Sequence, residues 1–352
     1  MPSMIPFFSR LRTRARLSLR LRVRSYLCVC LVLFVTGCSA SGEKESGIGG
    51  VGPERITVMT WNAQTLFDAD ESGNEFAEFK GPKSAWTREK YGARLDRLCE
   101  AILLGGSTLG AGPDRGPDIV ALEEIESARV LEDLCNRLPQ RYRYANVAFV
   151  PPCEGASFAS AVLSRYTIRS VTAHSVAVSG VALRPLLEVT IDVEGMPVSV
   201  FSAHWKSKLG NDDTDAVRRA QELVLASRIS SLVSGNPEAL YVACGDFNQP
   251  LADFTDLGRG SIASPWPDWL AQCSAGLVQG PEGSYFYDGD WEAIDHFFFP
   301  ADARSGYRAR DFKVLSSPPL TDGEAHPARY EVYSGRGYSD HLPLLLAFTK
   351  VN

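Results

Sequence analysis

The chain lacks any pair of cysteines at the Cys-x-x-Cys spacing of a zinc site. Of its eight cysteines, three lie in the first 38 residues and five lie beyond them. An odd number without that spacing predicts neither a zinc centre nor a complete disulfide framework, and the disulfide state of these cysteines stays open. Cys244 lies within an apolar run and is expected to be a small buried residue.

The chain also lacks an excess of positive charge. Its formal net charge is −6, and a block of seven arginines at residues 10–24 precedes the apolar run 26–35. That layout is typical of an export signal, and the run is too short to span a membrane comfortably. Removing seven arginines from a chain of charge −6 leaves −13. Net charge therefore does not favour tight sequence-independent binding to a polyanion, although a local basic cleft stays open.

The apolar run ends in Val35-Thr36-Gly37-Cys38, which resembles the lipobox of bacterial lipoproteins. We expect residues 1–37 to be a lipoprotein signal peptide, Cys38 to carry the lipid, and the small polar residues 38–55 to form a flexible tether. The expected protein is exported and lipid-anchored to the bacterial membrane, on its periplasmic or outer surface. A signal peptide with an incidental cysteine and an uncleaved anchor are the alternatives.

Strands and helices alternate in the first part of the remaining chain. Apolar runs at residues 56–62 and 117–124 predict strands, and amphipathic patterns at residues 87–104 and 130–138 predict helices. Gly105 is expected to stop the first of these helices. This order predicts an α/β fold arranged in layers.

From residue 142 onward the pattern becomes that of strands. Apolar and polar residues alternate over residues 187–193, which predicts a half-buried strand, and a turn leads to a further strand that ends at His204. Residues 213–234 predict a long helix that is either widely buried or broken, and residues 344–348 predict a last strand. No internal repeat is present.

The central apolar run, residues 240–244, stops at Gly245 and then presents Asp246 and Asn248. Residues two apart in an extended chain point to the same side, so this carboxylate and carboxamide face one pocket. Together they can orient a water molecule and the group that the water attacks. By itself Asp-x-Asn is common turn chemistry. Other apolar strands, however, end in comparable polar residues: Asn62, Glu124, His204, Asp295 and the pair Asp340 and His341.

The segments that carry these residues resemble, in order, the motifs of the endonuclease/exonuclease/phosphatase superfamily. They are Thr60-Trp-Asn62, Asp118-Ile-Val-Ala-Leu-Glu-Glu124, His204-Trp-Lys-Ser-Lys208, Gly245-Asp-Phe-Asn248, Ile294-Asp-His296 and Ser339-Asp-His341. The resemblance runs from about residue 56 to residue 350. It implies one α/β domain over residues 56–352, built as a four-layer αββα sandwich of two mixed sheets with outer helices, and a single site at one sheet edge.

The resemblance also implies a metal site. Glu124 would bind a divalent cation directly, and Asn62 and Asp340 would complete the site directly or through water. Oxygen ligands suit Mg²⁺, with Mn²⁺ as the alternative. Glu123 is not expected to bind it, because the family places the metal-binding glutamate second in this pair and neighbours in a strand face opposite sides.

The remaining motif residues would act on the substrate. Asp246 would orient and deprotonate the attacking water, and Asn248 would position that water and a phosphate oxygen. His341, hydrogen-bonded to Asp295, would stabilise charge on the phosphorane, because a carboxylate partner favours the imidazolium. In some branches of the family a histidine at this position is the base instead, so the identity of the base stays open.

Two further residues are expected at the phosphate. His204 would be a second donor to it, and Arg184 matches an arginine that some members of the family use to bind it. His174, His296 and His326 are expected to be structural. The family's active-site tyrosine has no identifiable counterpart.

These features indicate a Mg²⁺-dependent hydrolase of phosphodiesters, either a nuclease or a nucleotide phosphodiesterase, acting as a monomer. A sphingomyelinase-like enzyme acting on a lipid head group is one alternative, and a non-catalytic surface-binding lipoprotein is another. The arginine signature of inositol 5-phosphatases is absent near Asp295, which disfavours an inositide substrate. Selectivity is expected to reside in loops such as residues 64–85 and 250–269.

Replacing the cysteine of the lipobox-like segment tests the expected anchor. Cys38→Ala should leave the protein without lipid, because only a thiol at that position accepts the diacylglyceryl group. In a detergent phase separation the variant should move to the aqueous phase, whereas the control Cys30→Ala should stay in the detergent phase. A Cys38→Ala protein that still partitions into detergent would rule out lipidation at this residue.

Overall fold

A computed structural model describes residues 52–152, 156–178, 181–208 and 214–351. The expected signal peptide, most of the expected tether, Cys38 and Cys153 lie outside the described residues. In the described part of the chain, no helix is both long enough and apolar enough to cross a membrane. Cys244 is buried with a free thiol, as expected.

The described residues form many short strands and four α-helices. The strands are β1 (Arg55–Leu66), β2 (Ile119–Ile125), β3 (Asn146–Phe149), β4 (Ala159–Ser164), β5 (Thr167–His174), β6 (Ala177–Val178), β7 (Val181–Ala182), β8 (Leu186–Val193), β9 (Met196–His204), β10 (Leu240–Asp246), β11 (Ile262–Ala263), β12 (Tyr285–Tyr287), β13 (Asp290–Glu292), β14 (Asp295–Pro300), β15 (Tyr307–Val314) and β16 (Leu344–Lys350). The helices are α1 (Arg88–Thr108), α2 (Ala128–Arg137), α3 (Asp215–Gly235) and α4 (Trp266–Ser274), with single 3₁₀ turns at Gln140–Tyr142 and Leu251–Asp253.

Two six-stranded mixed sheets form the centre of the fold. Their strand orders are β15-β16-β1-β2-β4-β3 and β11-β14-β10-β9-β8-β5. One hydrophobic core lies between them and includes Val58, Ile119, Val200 and Val242, while Leu225 and Ile229 of α3 belong to an outer core on the second sheet. The expected four-layer sandwich of two mixed sheets with outer helices is confirmed.

The burial of the residues in each strand agrees with the place of that strand in its sheet. All seven residues of β10 are buried, as in a central strand covered on both faces, and β8 alternates between buried and half-buried residues as its sequence predicts.

β1 runs parallel to β2, and β9 runs parallel to β10. β14 and β16 run antiparallel to these strands. The ends of the parallel strands and the starts of the antiparallel ones therefore meet at one edge, where the polar motif residues lie.

Helix α1 differs from the expectation at its end. It begins after Thr87, whose Oγ1 accepts the N–H of Lys90 at 3.2 Å, but it continues past Gly105 to Thr108. The expected stop at Gly105 is wrong. A Cβ at the next residue, Gly106, would lie 1.9 Å from the carbonyl oxygen of Arg115. Glycine is required there for close packing against the following loop, and it does not end the helix.

Helix α3 is unbroken and carries polar residues on its buried face. Glu222 is almost fully buried, and its Oε1 accepts the backbone N–H groups of Thr255, Asp256 and Leu257 at 2.8, 2.7 and 3.2 Å. This carboxylate fixes the loop that follows β10. Polar residues such as Glu222 that interrupt the apolar stripe of this helix therefore bind backbone groups of the neighbouring loop.

Candidate active site

Three polar motif residues lie side by side across three neighbouring strands. Asp246 at the end of β10 pairs in register with His204 at the end of β9 and with Asp295 at the start of β14. All three side chains are buried, with 2 to 4% of their surface exposed. Gly245 permits this close approach, since a Cβ there would lie 1.9 Å from the carbonyl oxygen of Ala203.

His341 and Asp295 form a buried pair. Nδ1 of His341 lies 2.8 Å from Oδ2 of Asp295, and the same oxygen accepts the hydroxyl of Ser284 at 2.6 Å. Burial opposes the charge of the imidazolium, but the charge of Asp295 and its hydrogen bond outweigh burial and raise the pKa of His341 well above its usual value. His341 is therefore the cationic histidine of the site, and its Nε2 lies 4.0 Å from Oδ2 of Asp246.

The carboxylate of Asp246 is held at both oxygens. Oδ1 accepts the backbone N–H of Asn248 at 2.9 Å, and Oδ2 accepts Nδ2 of Asn62 at 3.1 Å. Burial raises the pKa of Asp246 to about 7, with the charge of Asp295 adding to the effect and His341 opposing it. A carboxylate with such a pKa can accept a proton near neutral pH.

His204 is buried, and its imidazole is neutral. Burial, with the charges of Arg184 and His341, lowers its pKa well below the usual value. Its Nε2 lies 3.7 Å from Oε1 of Glu124 and 3.7 Å from Oδ2 of Asp246, so this nitrogen lines the same pocket as both carboxylates. Nδ1 of His204 has no hydrogen-bond partner among the described residues.

Glu124 and Glu123 point in different directions. Glu124 has a φ of 62°, its Oε1 accepts Nδ2 of Asn62 at 3.3 Å, and its Oε2 accepts the N–H of Thr65 at 2.5 Å. Glu123 is fully buried and accepts a hydrogen bond from Ser202 of the other sheet at 3.3 Å. Burial and the charges of Asp295 and Asp246 raise the pKa of Glu123 well above its usual value, so it is neutral.

The other expected site residues adjoin this cluster. Arg184 donates from Nη1 to the carbonyl oxygen of Trp205 at 3.0 Å, and Nδ2 of Asn248 donates to the same oxygen at 3.2 Å. Asp340 is half-buried, and its charge contributes to the raised pKa of His341. The structure thus brings all nine expected residues to one end of the two sheets.

The three remaining described histidines lie outside the cluster. His296 is buried among aromatic rings, with Nε2 2.9 Å from the carbonyl oxygen of Gln249, and burial lowers its pKa to about 4. His174 pairs with Glu188 at 2.6 Å, and His326 stacks on Phe286 with ring centroids 3.7 Å apart. Each has a structural partner of its own.

Sequence reasoning missed several residues that hold the site together. Gln64 accepts the N–H groups of Tyr330 and Asp340 at its Oε1, at 2.9 and 3.0 Å. Ser339 donates to the carbonyl oxygen of Asn62 at 2.6 Å, and Ser284 binds Asp295. Ser339 lies inside a motif and could have been found. Gln64 and Ser284 gave no signal, because their partners are distant in the sequence.

The described residues offer two sets of possible metal ligands. One atom from each of Asp246, Asp295 and His341 lies within 4.8 Å of the others, but Asp295 and His341 already bind each other. Glu124 and Asp340 offer carboxylate oxygens, which hard divalent cations prefer, and Asn62 offers a carboxamide oxygen that accepts the N–H of Gln64. Glu124 takes a φ that non-glycine residues rarely adopt, as is common at binding sites. The oxygen set therefore fits a divalent cation better.

Comparison with known proteins shows a family. The model of the Endonuclease/Exonuclease/phosphatase family matches residues 57–350. No curated protein matches the chain closely enough to count as a relative.

Several solved structures share the fold. Truncated Caenorhabditis elegans TDP2 is 15% identical with a TM-score of 0.56, over 84% of this chain and 97% of that one. The human Nocturnin catalytic domain with bound sulfate is 16% identical with a TM-score of 0.52, over 86% and 97%. A Bacteroides thetaiotaomicron mannosyl-6-phosphatase is 16% identical with a TM-score of 0.54, over 84% and 99%. At these identities the likeness concerns the fold alone.

The buried His341–Asp295 pair predicts a particular pH dependence. If the imidazolium is the active form, activity falls as pH rises through the raised pKa of His341. Asp295→Asn removes the charge that raises this pKa, so the alkaline limb of kcat/KM, measured from about pH 5 to 10, should move to lower pH. Ser284→Ala keeps the charge and should move the limb less. An Asp295→Asn enzyme that is slower but has an unchanged alkaline limb would show that His341 is not the titrating acid.

Proposed function

The chain belongs to the endonuclease/exonuclease/phosphatase family, and from this premise we propose that it is a Mg²⁺-dependent hydrolase of phosphodiester bonds in nucleic acids or nucleotides. One observation carries the proposal. A carboxylate with a pKa of about 7, Asp246, lies 4.0 Å from a cationic histidine that is paired with a second carboxylate. Such a pair can remove a proton from water while it stabilises negative charge on the group that the water attacks.

Asp246 is the proposed base. Its two oxygens are oriented by Asn248 and Asn62, so it can accept the proton of the attacking water without rearranging. His341, fixed by Asp295, donates to the phosphate oxygen on which charge develops. His204 and Arg184 lie on the other side of Asp246 and bind the remaining phosphate oxygens.

Glu124, Asn62 and Asp340 would hold the cation. Bound there, Mg²⁺ would supply positive charge to the phosphate and the departing oxygen. Asn62 joins this group to the proposed base, because its Nδ2 donates to both Glu124 and Asp246. Each oxygen of Asp246 accepts one hydrogen bond from the chain and keeps a further lone pair for the proton of the attacking water.

Two tyrosine rings next to His341 favour a nucleotide substrate. The ring of Tyr285 lies 4.7 Å from the imidazole of His341, and Tyr287 lies nearly parallel to Tyr285, at 11° and 6.2 Å. Tyr287 is 53% exposed, so its face is available to a planar group. Stacking of a nucleobase on an aromatic side chain does not depend on which base is present, and it contributes about 1–3 kcal/mol. Such stacking can hold a nucleic acid on this protein although the protein's net charge is negative.

The two alternative functions, a lipid phosphoesterase and a purely binding protein, have less support. A lipid head group is favoured by the net negative charge of the chain and by the expected anchor at Cys38, which lies outside the described residues. A purely binding role does not account for a buried Asp246 held at both oxygens next to a His–Asp pair.

A substrate panel tests the proposal. Single-stranded DNA, RNA, a dinucleotide, sphingomyelin and a phosphoinositide should be assayed with Mg²⁺ and with a chelator. We expect Mg²⁺-dependent cleavage of a nucleic acid or the dinucleotide. Cleavage of sphingomyelin alone would favour the lipid alternative, and no hydrolysis of any member would reject the enzymatic proposal.

Matched variants of the acidic pair test the residues. Asp246→Asn should keep the fold and lower kcat by about two to four orders of magnitude, the usual range for a lost general base. Glu124→Gln should lose activity and recover part of it at high Mg²⁺. The control Glu123→Gln should stay near the parental rate, since Glu123 is already neutral and faces the core. Parental rates in both Asp246→Asn and Glu124→Gln would overturn the assignment.

A further inference from the structure

We propose that Arg94 is a positioning residue for the metal-binding side of the site, acting through the backbone of residues 63–65. The inference rests on the proposed function in one respect, because it takes Glu124 and Asn62 as cation ligands. Arg94 lies in α1, outside every motif of the sequence.

Arg94 binds three consecutive carbonyl groups. Its Nη2 donates to the carbonyl oxygens of Ala63, at 2.6 Å, and of Gln64, and its Nη1 donates to that of Thr65 at 3.1 Å. The guanidinium is fully buried, and no carboxylate is hydrogen-bonded to it among the described residues. A planar fork of donors suits this task, because one rigid group can bind several acceptors in a row.

The carbonyls that Arg94 binds belong to an unusual backbone segment. Gln64 and Thr65 both have a φ of 50°, a conformation that side chains other than glycine rarely adopt. Their amide groups are consequently turned toward the site. The N–H of Gln64 donates to Oδ1 of Asn62 at 2.9 Å, and the N–H of Thr65 donates to Oε2 of Glu124 at 2.5 Å. The segment thus binds Arg94 through its carbonyls and the two ligands through its amides.

Burying a cation without a carboxylate partner is unfavourable, so the site must compensate for it. The ring of Tyr330 covers the guanidinium, with 3.8 Å from Cζ to the ring centroid. Burial lowers the pKa of Arg94 only to about 10, so the charge is present at neutral pH. Glu124 and Asp340 are among the charges that favour the guanidinium, which places Arg94 within electrostatic reach of both proposed ligands.

The same face of α1 holds the segment that leads to Asp340. Nζ of Lys90 donates to the carbonyl oxygens of Val332 and Tyr333 at 2.9 and 2.8 Å. Nη1 of Arg97 donates to that of Gly335 at 2.7 Å. Lys90, Arg94 and Arg97 are spaced so that they lie on one side of a helix. One helix therefore fixes both backbone segments that flank the proposed cation.

Metal binding measured without catalysis tests the role of Arg94. Loss of a residue that orients a metal ligand typically weakens metal affinity about 10- to 100-fold. The free Mn²⁺ signal in electron paramagnetic resonance gives the Mn²⁺ Kd directly. We expect Arg94→Lys to raise that Kd about 10-fold or more, because an ammonium is a single point of donors and lacks the planar fork with which Arg94 binds the carbonyls of residues 63–65. At saturating Mn²⁺ its kcat should return most of the way to the parental value.

The aromatic cover of Arg94 supplies a matched pair of variants. Tyr330→Phe keeps the ring and removes a hydroxyl that has no partner among the described residues, so its Mn²⁺ Kd should match the parental one. Tyr330→Leu removes the ring and should weaken Mn²⁺ binding in the same direction as Arg94→Lys. This pair also serves if Arg94→Lys does not fold.

The outcomes separate this inference from the proposed function. If Glu124→Gln weakens Mn²⁺ binding but a folded Arg94→Lys or a folded Tyr330→Leu keeps the parental Mn²⁺ Kd, the role of Arg94 is overturned. If the parental protein binds no Mn²⁺, or if Glu124→Gln has the parental Mn²⁺ Kd, the metal site itself is rejected. Partial recovery of Mn²⁺ affinity in Arg94→Ala on adding guanidinium would support the inference.

Discussion

Repulsion among carboxylates at one sheet edge is the constraint that the surrounding structure has to satisfy. Asp246 and Asp295 pair in register on neighbouring strands, Glu124 lies 3.7 Å from the His204 ring that also faces Asp246, and the charge of Asp340 acts on His341. Like charges held this close and this dry disfavour their ionised forms. Burial is the largest cause of the raised pKa of Asp246, about 7; the charge of Asp295 adds to it and the charge of His341 opposes it.

The fold offsets this repulsion in two ways. On one side, the imidazolium of His341 lies against Asp295, and Ser284 donates a second hydrogen bond to the same carboxylate. On the other side, the amides of Gln64 and Thr65 orient Asn62 and Glu124, and Arg94 binds the carbonyls behind them. The proposed cation would add positive charge on this second side. The proposed function thereby divides the site into a half that would handle protons and a half that would bind metal.

Much of this arrangement could be predicted from the sequence, because the motif residues come at the ends of apolar runs that the two sheets bury. The strands β2 and β10 are continuous apolar segments, and their ends deliver Glu124 and Asp246. The direction of Glu123, toward the other sheet, is that of a regular strand, but Glu124 has a φ of 62° at an irregularity in register between Leu122 and Ile125, so strand alternation alone does not fix its direction.

The remaining features depend on tertiary contacts that a pattern does not encode. Arg94 reads as an ordinary polar residue of an amphipathic helix, yet its partners are carbonyls that β1 brings to it. Gly105 is a typical helix stop in sequence, but the helix continues to Thr108, and the following residue, Gly106, is a glycine that packs closely against the Arg115 carbonyl. Glu222 likewise interrupts an apolar stripe in order to bind three amides of a distant loop.

The division of the site into a proton-handling half and a metal-binding half can be tested by the position of a bound metal. Crystals soaked in Mn²⁺ and measured at the manganese absorption edge would locate the ion by its anomalous scattering. We expect a single strong peak within bonding distance of Glu124 and Asp340, with the hydrogen bond between His341 and Asp295 intact. A peak coordinated by Asp246, Asp295 and His341 would contradict this division, because the proton-handling half would then be the metal site.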